Sequence, residues 1–168
     1  MRTFRLLREN EIECRVSEIS RDVKWLKLLL YKTARTDAAL LDETFGPSAW
    51  QNDYRVIDGK LFCGIGIKCG SEWVWKWNVG TESNMEAEKG QASDALKRAG
   101  FVWGIGTELY SAPDIKIPAD KCNIREYNGK FRCYDNFTVE KIAYDERENI
   151  SGLAIMCNGK RCYAGKLA

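Results

Sequence analysis

The sequence predicts an α+β fold: an antiparallel β-meander packed on a long helix, a β-β-β-α core, with an N-terminal helix before it and a β-rich extension after it. Three observations lead there. Residues 54–57 and 60–69 are strand-like runs joined by Asp58-Gly59, a two-residue turn that requires positive φ, and Gly70-Ser71 reverses the chain again into residues 72–79. Ser83 with Glu86 forms a capping box, after which Ala92, Ala95, Leu96, Ala99 and Trp103 share one face at 100° per residue, giving a helix to about residue 103. Beyond Pro113 and Pro118 come the strand-like runs 123–127, 130–134, 137–144, 150–157 and 160–164, parted by Asn128-Gly129, residues 145–148 and Asn158-Gly159.

The remaining elements follow in order. Asn10 and Glu13 make a capping pair, and Ile12, Val16 and Ile19 recur at helical spacing, so a first helix is expected over about 10–22. Residues 25–31 read as a buried strand. A short helix with Ala38, Leu41 and Phe45 on one face follows, stopped by Gly46-Pro47. Gly104-Ile105-Gly106 breaks the long helix. Residues 1–118 are expected to form the core domain, and 119–168 an extension of it or a small subdomain.

Composition narrows the chemistry. The 168 residues are 45% hydrophobic and 30% charged, which describes a folded chain. There is no histidine, which excludes a Ser-His-Asp or Cys-His nucleophile, a zincin helix and a histidine base or metal ligand. The net charge is only +2, so any grip on nucleic acid must come from a local patch. The seven cysteines contain no Cys-x-x-Cys and read as reduced packing residues, with a metal cluster as a distant second reading; no metal site and no cofactor are expected. The most apolar run, 25–31, is too short to cross a bilayer, and the first residues lack a signal core, so a cytoplasmic protein is expected.

Two features remain as candidate binding groups. Lys97 and Arg98 are adjacent on the polar side of the long helix, opposite its alanine stripe, with Lys89 two turns earlier; rigid cations of this kind suit phosphate, although from the helix alone a solvated face is the preferred reading. Trp73, Trp75 and Trp77 alternate along one strand. They make either a base-stacking platform or, the preferred reading for Trp73 and Trp75, a core stripe beneath the following helix. Lys76, on the opposite face, is then free to meet a ligand. Asp58-Gly59-Lys60 and Asp114-Ile115-Lys116 have the acid-x-Lys spacing of some magnesium nucleases, but a hairpin turn and a surface connector explain them better. No phosphate loop or full dinucleotide fingerprint is present.

Residues 80–83, 88–101 and 103–110, with the sequences Gly-Thr-Glu-Ser, Glu-Lys-Gly-Gln-Ala-Ser-Asp-Ala-Leu-Lys-Arg-Ala-Gly-Phe and Trp-Gly-Ile-Gly-Thr-Glu-Leu-Tyr, resemble the signature helix of the Rad-fifty-two family of single-strand annealing proteins, particularly its short phage and prophage forms. Leu40 to Gly46 followed by Trp50 resembles the same family's approach to its sheet. The resemblance covers about residues 24–112. It implies an ATP-independent, non-enzymatic protein that forms rings or filaments, holds single-stranded DNA in a basic groove and anneals complementary strands in recombination and repair. It further implies a bacterial or phage-infected cell, and an exonuclease and a single-strand-binding protein as partners. Lys97-Arg98 matches the family's groove pair, and Arg35 is the nearest match to its basic residues before the short helix. Phe101 stands where eukaryotic members carry another cation. Arg55 and Lys76 are added as DNA contacts from strand position alone. The alternatives are a magnesium-dependent nuclease and a protein-interaction module built on the tryptophan strand.

Overall fold

The structure, a computed structural model, describes residues 3–81 and 87–165, and all side chains among them except those of residues 87–89. In chain order its strands and helices are β1 (Glu13–Ile19), β2 (Trp25–Tyr31), α1 (Ala34–Phe45), β3 (Trp50–Ile57), β4 (Lys60–Cys69), β5 (Glu72–Val79), α2 (Ala87–Trp103), β6 (Ile115–Pro118), β7 (Arg125–Tyr127), β8 (Lys130–Arg132), β9 (Phe137–Tyr144), β10 (Ile150–Cys157) and β11 (Lys160–Gly165). The fold is α+β, rich in strands, with antiparallel sheets. It divides into two compact units, Met1–Leu6 with Lys32–Thr107 and Leu7–Tyr31 with Glu108–Ala168.

The first unit holds β3–β4–β5 and both helices. The Thr33 hydroxyl caps α1 by accepting from Thr36 N at 3.2 Å, and Gly46 ends it at φ 83° while its N–H reaches Asp42 O at 2.9 Å. Asp58 and Gly59, at φ 51° and 72°, turn β3 into β4 with Ile57 opposite Lys60, the positive-φ pair that a two-residue hairpin demands. Leu40, Leu41, Cys63, Ile65, Ile67, Ala95, Ala99 and Ile105 are buried and form its core. The capping box expected at Ser83 and Glu86 lies outside the described residues.

The second unit is built on one six-stranded antiparallel sheet, ordered β11-β10-β9-β1-β2-β6, with β7 and β8 as a separate hairpin. The strands expected at 25–31, 137–144 and 150–157 are present, and β1 and β2, grouped above with residues 1–118, share their sheet with strands of the tail. β6 was not foreseen. Ile115 and Ile117 alternate inward and are buried, and Pro118, which lacks an N–H, sits at the strand's end. Asp135 organises the hairpin base by accepting from Asn123 N (2.6 Å), Asn123 Nδ2 (3.0 Å) and Asn158 Nδ2 (2.9 Å), with the Cys133 and Cys157 thiols at 3.4 and 3.5 Å. All seven cysteines are free; Cys63, Cys157 and Cys162 are buried as packing residues, whereas Cys69 is exposed.

The expected N-terminal helix is absent, and this corrects the sequence-based expectation. Glu9–Glu11 is a single 3-10 turn, closed by Glu11 accepting from Arg8 N at 2.7 Å, and residues 13–19 are strand β1. The misleading signal was the three-residue step from Val16 to Ile19. The register of β1 against β2 shifts between Val16 and Glu18, so one extra residue enters the strand and turns a period of two into a step of three. Ile12, Cys14, Val16 and Ile19 therefore share the inner face, while Glu13, Arg15, Ser17 and Glu18 are exposed.

Candidate nucleic-acid interface

The site is built on α2 and the first turn of α1. Ala95 and Ala99 are fully buried, and Gly80, just after β5, lies so close to α2 that a Cβ there would collide with Gln91 O and stand 2.8 Å from Ala95 Cβ. Small residues on both sides let the helix settle onto the strands, which fixes the backbone that carries Lys97 and Arg98.

Behind that backbone lies a buried ion pair absent from the sequence-based candidates. Lys32 Nζ contacts Asp37 Oδ1 at 2.5 Å, donates to Lys97 O at 3.0 Å and sits 4.2 Å from the Phe101 ring centroid; both charged side chains are essentially inaccessible. Gly100 makes this approach feasible, because a Cβ there would stand 2.7 Å from Asp37 Oδ1. Asp37 Oδ2 is buried without a hydrogen-bond partner among the described residues. Burial pushes the Asp37 carboxyl up to about 6, against the opposing pull of Lys32 and of the Lys97 charge. The sequence did carry a signal for the pair: an acid, Asp37, on the same stripe of α1 as Leu40 and Leu41, which needs a cation within reach.

The predicted cations fall in three places. Lys97 is half-buried and electrostatically coupled to Asp37, so it stands near the start of α1, where Arg35 is exposed in the first helical turn. Arg98 is 43% exposed and pairs with Asp94 Oδ2 at 2.8 Å. Asp94 also accepts from Thr81 N and Oγ1 at 2.9 and 3.0 Å; burial raises its carboxyl, but the Thr81 and Arg98 contacts outweigh that and leave it below its usual value. Lys89 lies on α2, and its side chain is outside the described residues. Lys76 is elsewhere: its ammonium donates to Val102 O at 3.2 Å and lies 4.2 Å from the Trp103 ring centroid, at the negative end of α2. Arg55 is on the other face of the sheet, 3.0 Å from Asp53 Oδ2 and 4.5 Å from the Trp77 ring centroid.

The tryptophan stripe reverses the preferred expectation. Trp103 Nε1 donates to Ile65 O, Asn78 Nδ2 to Arg98 O and Tyr54 Oη to Ala92 O, so α2 covers the face of Cys63, Ile65, Lys76 and Asn78. The tryptophans point away from it. Trp77 lies over Gly64 and Trp75 over Gly66, with ring atoms 2.5 and 2.7 Å from where a glycine Cβ would stand. Gly64-Ile65-Gly66 thus serves indole packing, while Gly104 and Gly106, at φ 96° and 71°, stop the helix.

The nuclease motifs have structural occupations. Asp58 is a turn residue, and Asp114 is held by Lys27 at 2.6 Å and Lys116 at 3.3 Å, which lowers its carboxyl below the usual range. Among the described residues no group of three or more histidine, cysteine, aspartate or glutamate side chains is placed to hold a metal ion, and no helix is long and apolar enough to cross a membrane.

The family model of the Rad52/22 family double-strand break repair protein matches residues 55–127, which is less than half of the chain. The match supports a likeness to that family over this segment. No curated protein and no solved structure matches the chain.

Proposed function

We propose that this protein binds single-stranded DNA and anneals complementary strands without ATP, as a homo-oligomer, with Lys97 and Arg98 of α2 gripping the phosphate backbone. The observation that carries this is the fixed backbone at Lys97, tied through its carbonyl to the buried Lys32 and through Gly100 to α1, within the matched segment. Arg35, exposed in the first turn of α1, extends the track, and Lys89 is added as a DNA contact from its position in the sequence alone. Annealing needs each strand extended, its charge neutralised and its base edges free, and cations that hold phosphates meet those needs without breaking a bond. One 19.2 kDa subunit spans few nucleotides, so further copies in a ring or filament supply length. An exonuclease that exposes single strands and a single-strand-binding protein are its natural partners.

The test is titration of labelled oligothymidylate across a salt series. Lys97→Ala/Arg98→Ala is expected to bind more than tenfold more weakly at moderate salt, and the log–log salt slope should shrink by about 1.4, two single-strand phosphate contacts at ~0.7 each. Parental affinity and slope in that variant would overturn the assignment. Loss of full-length labelled DNA on adding Mg²⁺ would favour a nuclease instead.

A further inference from the structure

We infer that the face of β3–β4–β5 turned away from α2 is a base-stacking platform for single-stranded nucleic acid, built from Trp75 and Trp77 and extended by Arg55. Among the residues that the register places on this face are Asp53 and Arg55 of β3, Lys60 and Lys68 of β4, and Trp75 and Trp77 of β5.

The geometry is that of a platform. The two glycines, Gly64 and Gly66, leave the middle of β4 without side chains on this face, so the indoles of Trp75 and Trp77 lie flat on the strand instead of standing upright between neighbours. Their centroids are 5.7 Å apart and their planes 23° from parallel. The Arg55 guanidinium lies over the Trp77 ring, 4.5 Å from its centroid, and Trp73, 37% exposed, is the next tryptophan along the strand beyond Trp75. One broad side of each indole rests on the sheet at Gly64 or Gly66, and both indoles keep part of their surface exposed. A row of π faces is sequence-tolerant toward bases, because every base has a face to offer.

Charge selects the occupant. The face carries Arg55, Lys60 and Lys68 against the single carboxylate of Asp53, which Arg55 already neutralises. An apolar protein partner has no use for three cations around its seat, whereas a polyanion with aromatic bases uses both the rings and the charges. Stacking also engages only the base's face and leaves its pairing edge free. The platform shares its ligand with the function proposed above, but none of its residues lie on α2.

Titrating the intact protein with oligothymidylate while following indole fluorescence decides the matter, with inorganic polyphosphate as a polyanion without bases. Oligothymidylate should quench strongly and polyphosphate should not. Trp75→Leu/Trp77→Leu should lose most of the quenching and bind at least about tenfold more weakly. Trp75→Phe/Trp77→Phe, which keeps rings and packing, should retain most of the affinity, and it carries the test if the leucine variant fails to fold. Lys97→Ala/Arg98→Ala should still be quenched at low salt, which separates failure of this platform from failure of the α2 site. Three results would overturn the proposal: a folded leucine variant with parental affinity, equal quenching by polyphosphate, or a leucine or phenylalanine variant that loses self-association with per-subunit DNA binding intact, which would assign the face to a second copy of this chain.

Discussion

On one face of β3–β4–β5, Cys63 and Ile65 are sealed beneath α2 and the Lys76 ammonium is committed to a helix carbonyl; on the other, Trp75 and Trp77 lie over two glycines with an arginine at their edge. Judged from β5 alone, the two faces should be the other way round, since tryptophan is the more apolar residue. What decides is the neighbouring strand. β4 alternates Cys63, Ile65 and Ile67 with Gly64 and Gly66, and in this register its apolar residues share a face with Val74, Lys76 and Asn78. A helix gains more from covering a continuous floor of branched side chains than from resting on indoles that stand above glycine gaps. Lysine can then be tolerated on the closed side, because the end of the helix supplies an unpaired carbonyl at Val102, and Asn78 adds a bond to Arg98 O.

The largest expected contrast is in the cost of disturbing charge on the two sides. Asp37→Asn leaves the Lys32 ammonium buried without a counter-charge and should cost about 3–5 kcal/mol in urea unfolding, whereas replacing both partners by apolar residues (Lys32→Met/Asp37→Leu) should restore most of it. Arg55→Ala breaks an exposed pair and should cost no more than about 1 kcal/mol. Equal costs for the two single changes would break the comparison.

Packing should follow the same division. Ile65→Ala removes three carbons from a fully buried site and should cost about 2–5 kcal/mol. Trp75→Ala removes far more atoms from a half-buried site, and its cost should stay nearer to half of the ~1.5–3 kcal/mol of a fully buried large side chain. Should Trp75→Ala prove the more damaging, the tryptophan face is covered in solution.

Much of this was legible in the sequence because local rules are strong where a turn or a stop is specified. Asp58-Gly59, Gly46-Pro47 and the strand at 25–31 all fall where backbone chemistry leaves few alternatives. β1 was lost because a bulge imitates a helical step, and only its partner strand reveals that. The candidate site was partly legible: Lys97 and Arg98 can be read from the helix period, but Lys32 is 65 residues away from Lys97 and joins it only through the fold. The orientation of the tryptophans required combining two strands, and the information was present in the β4 glycines.

Titration offers a smaller effect with a sign. Burial lifts Asp37 to about 6, above its value in the unfolded chain, so the folded state holds that proton more tightly. Stability from this group is therefore present below the ordinary carboxylate range and is lost as pH rises through about 6. Asp94, on the outward side of α2, is shifted below its usual value and contributes the opposite way, with stability present above the ordinary range and lost as pH falls. Urea midpoints should therefore fall less steeply between pH 4 and 7 in Asp37→Asn than in the parent, and the loss of stability as pH falls below about 4 should be smaller in Asp94→Asn. Indistinguishable profiles would mean that water reaches Asp37.

The smallest effect tests whether the closed face stays closed when DNA binds. Lys76→Met keeps an apolar stem against Trp103 and deletes the hydrogen bond to Val102 O together with the ammonium's contact with the Trp103 ring, so it should cost about 1 kcal/mol in urea unfolding. If the ammonium remains on that carbonyl in the complex, the salt slope for oligothymidylate matches the parent's, because no phosphate contact has been lost. If Lys76 instead swings out to a phosphate, the slope falls by about 0.7. That outcome would mean that the end of α2 opens on binding, and the two faces of the sheet would then differ in degree of cover and not in kind.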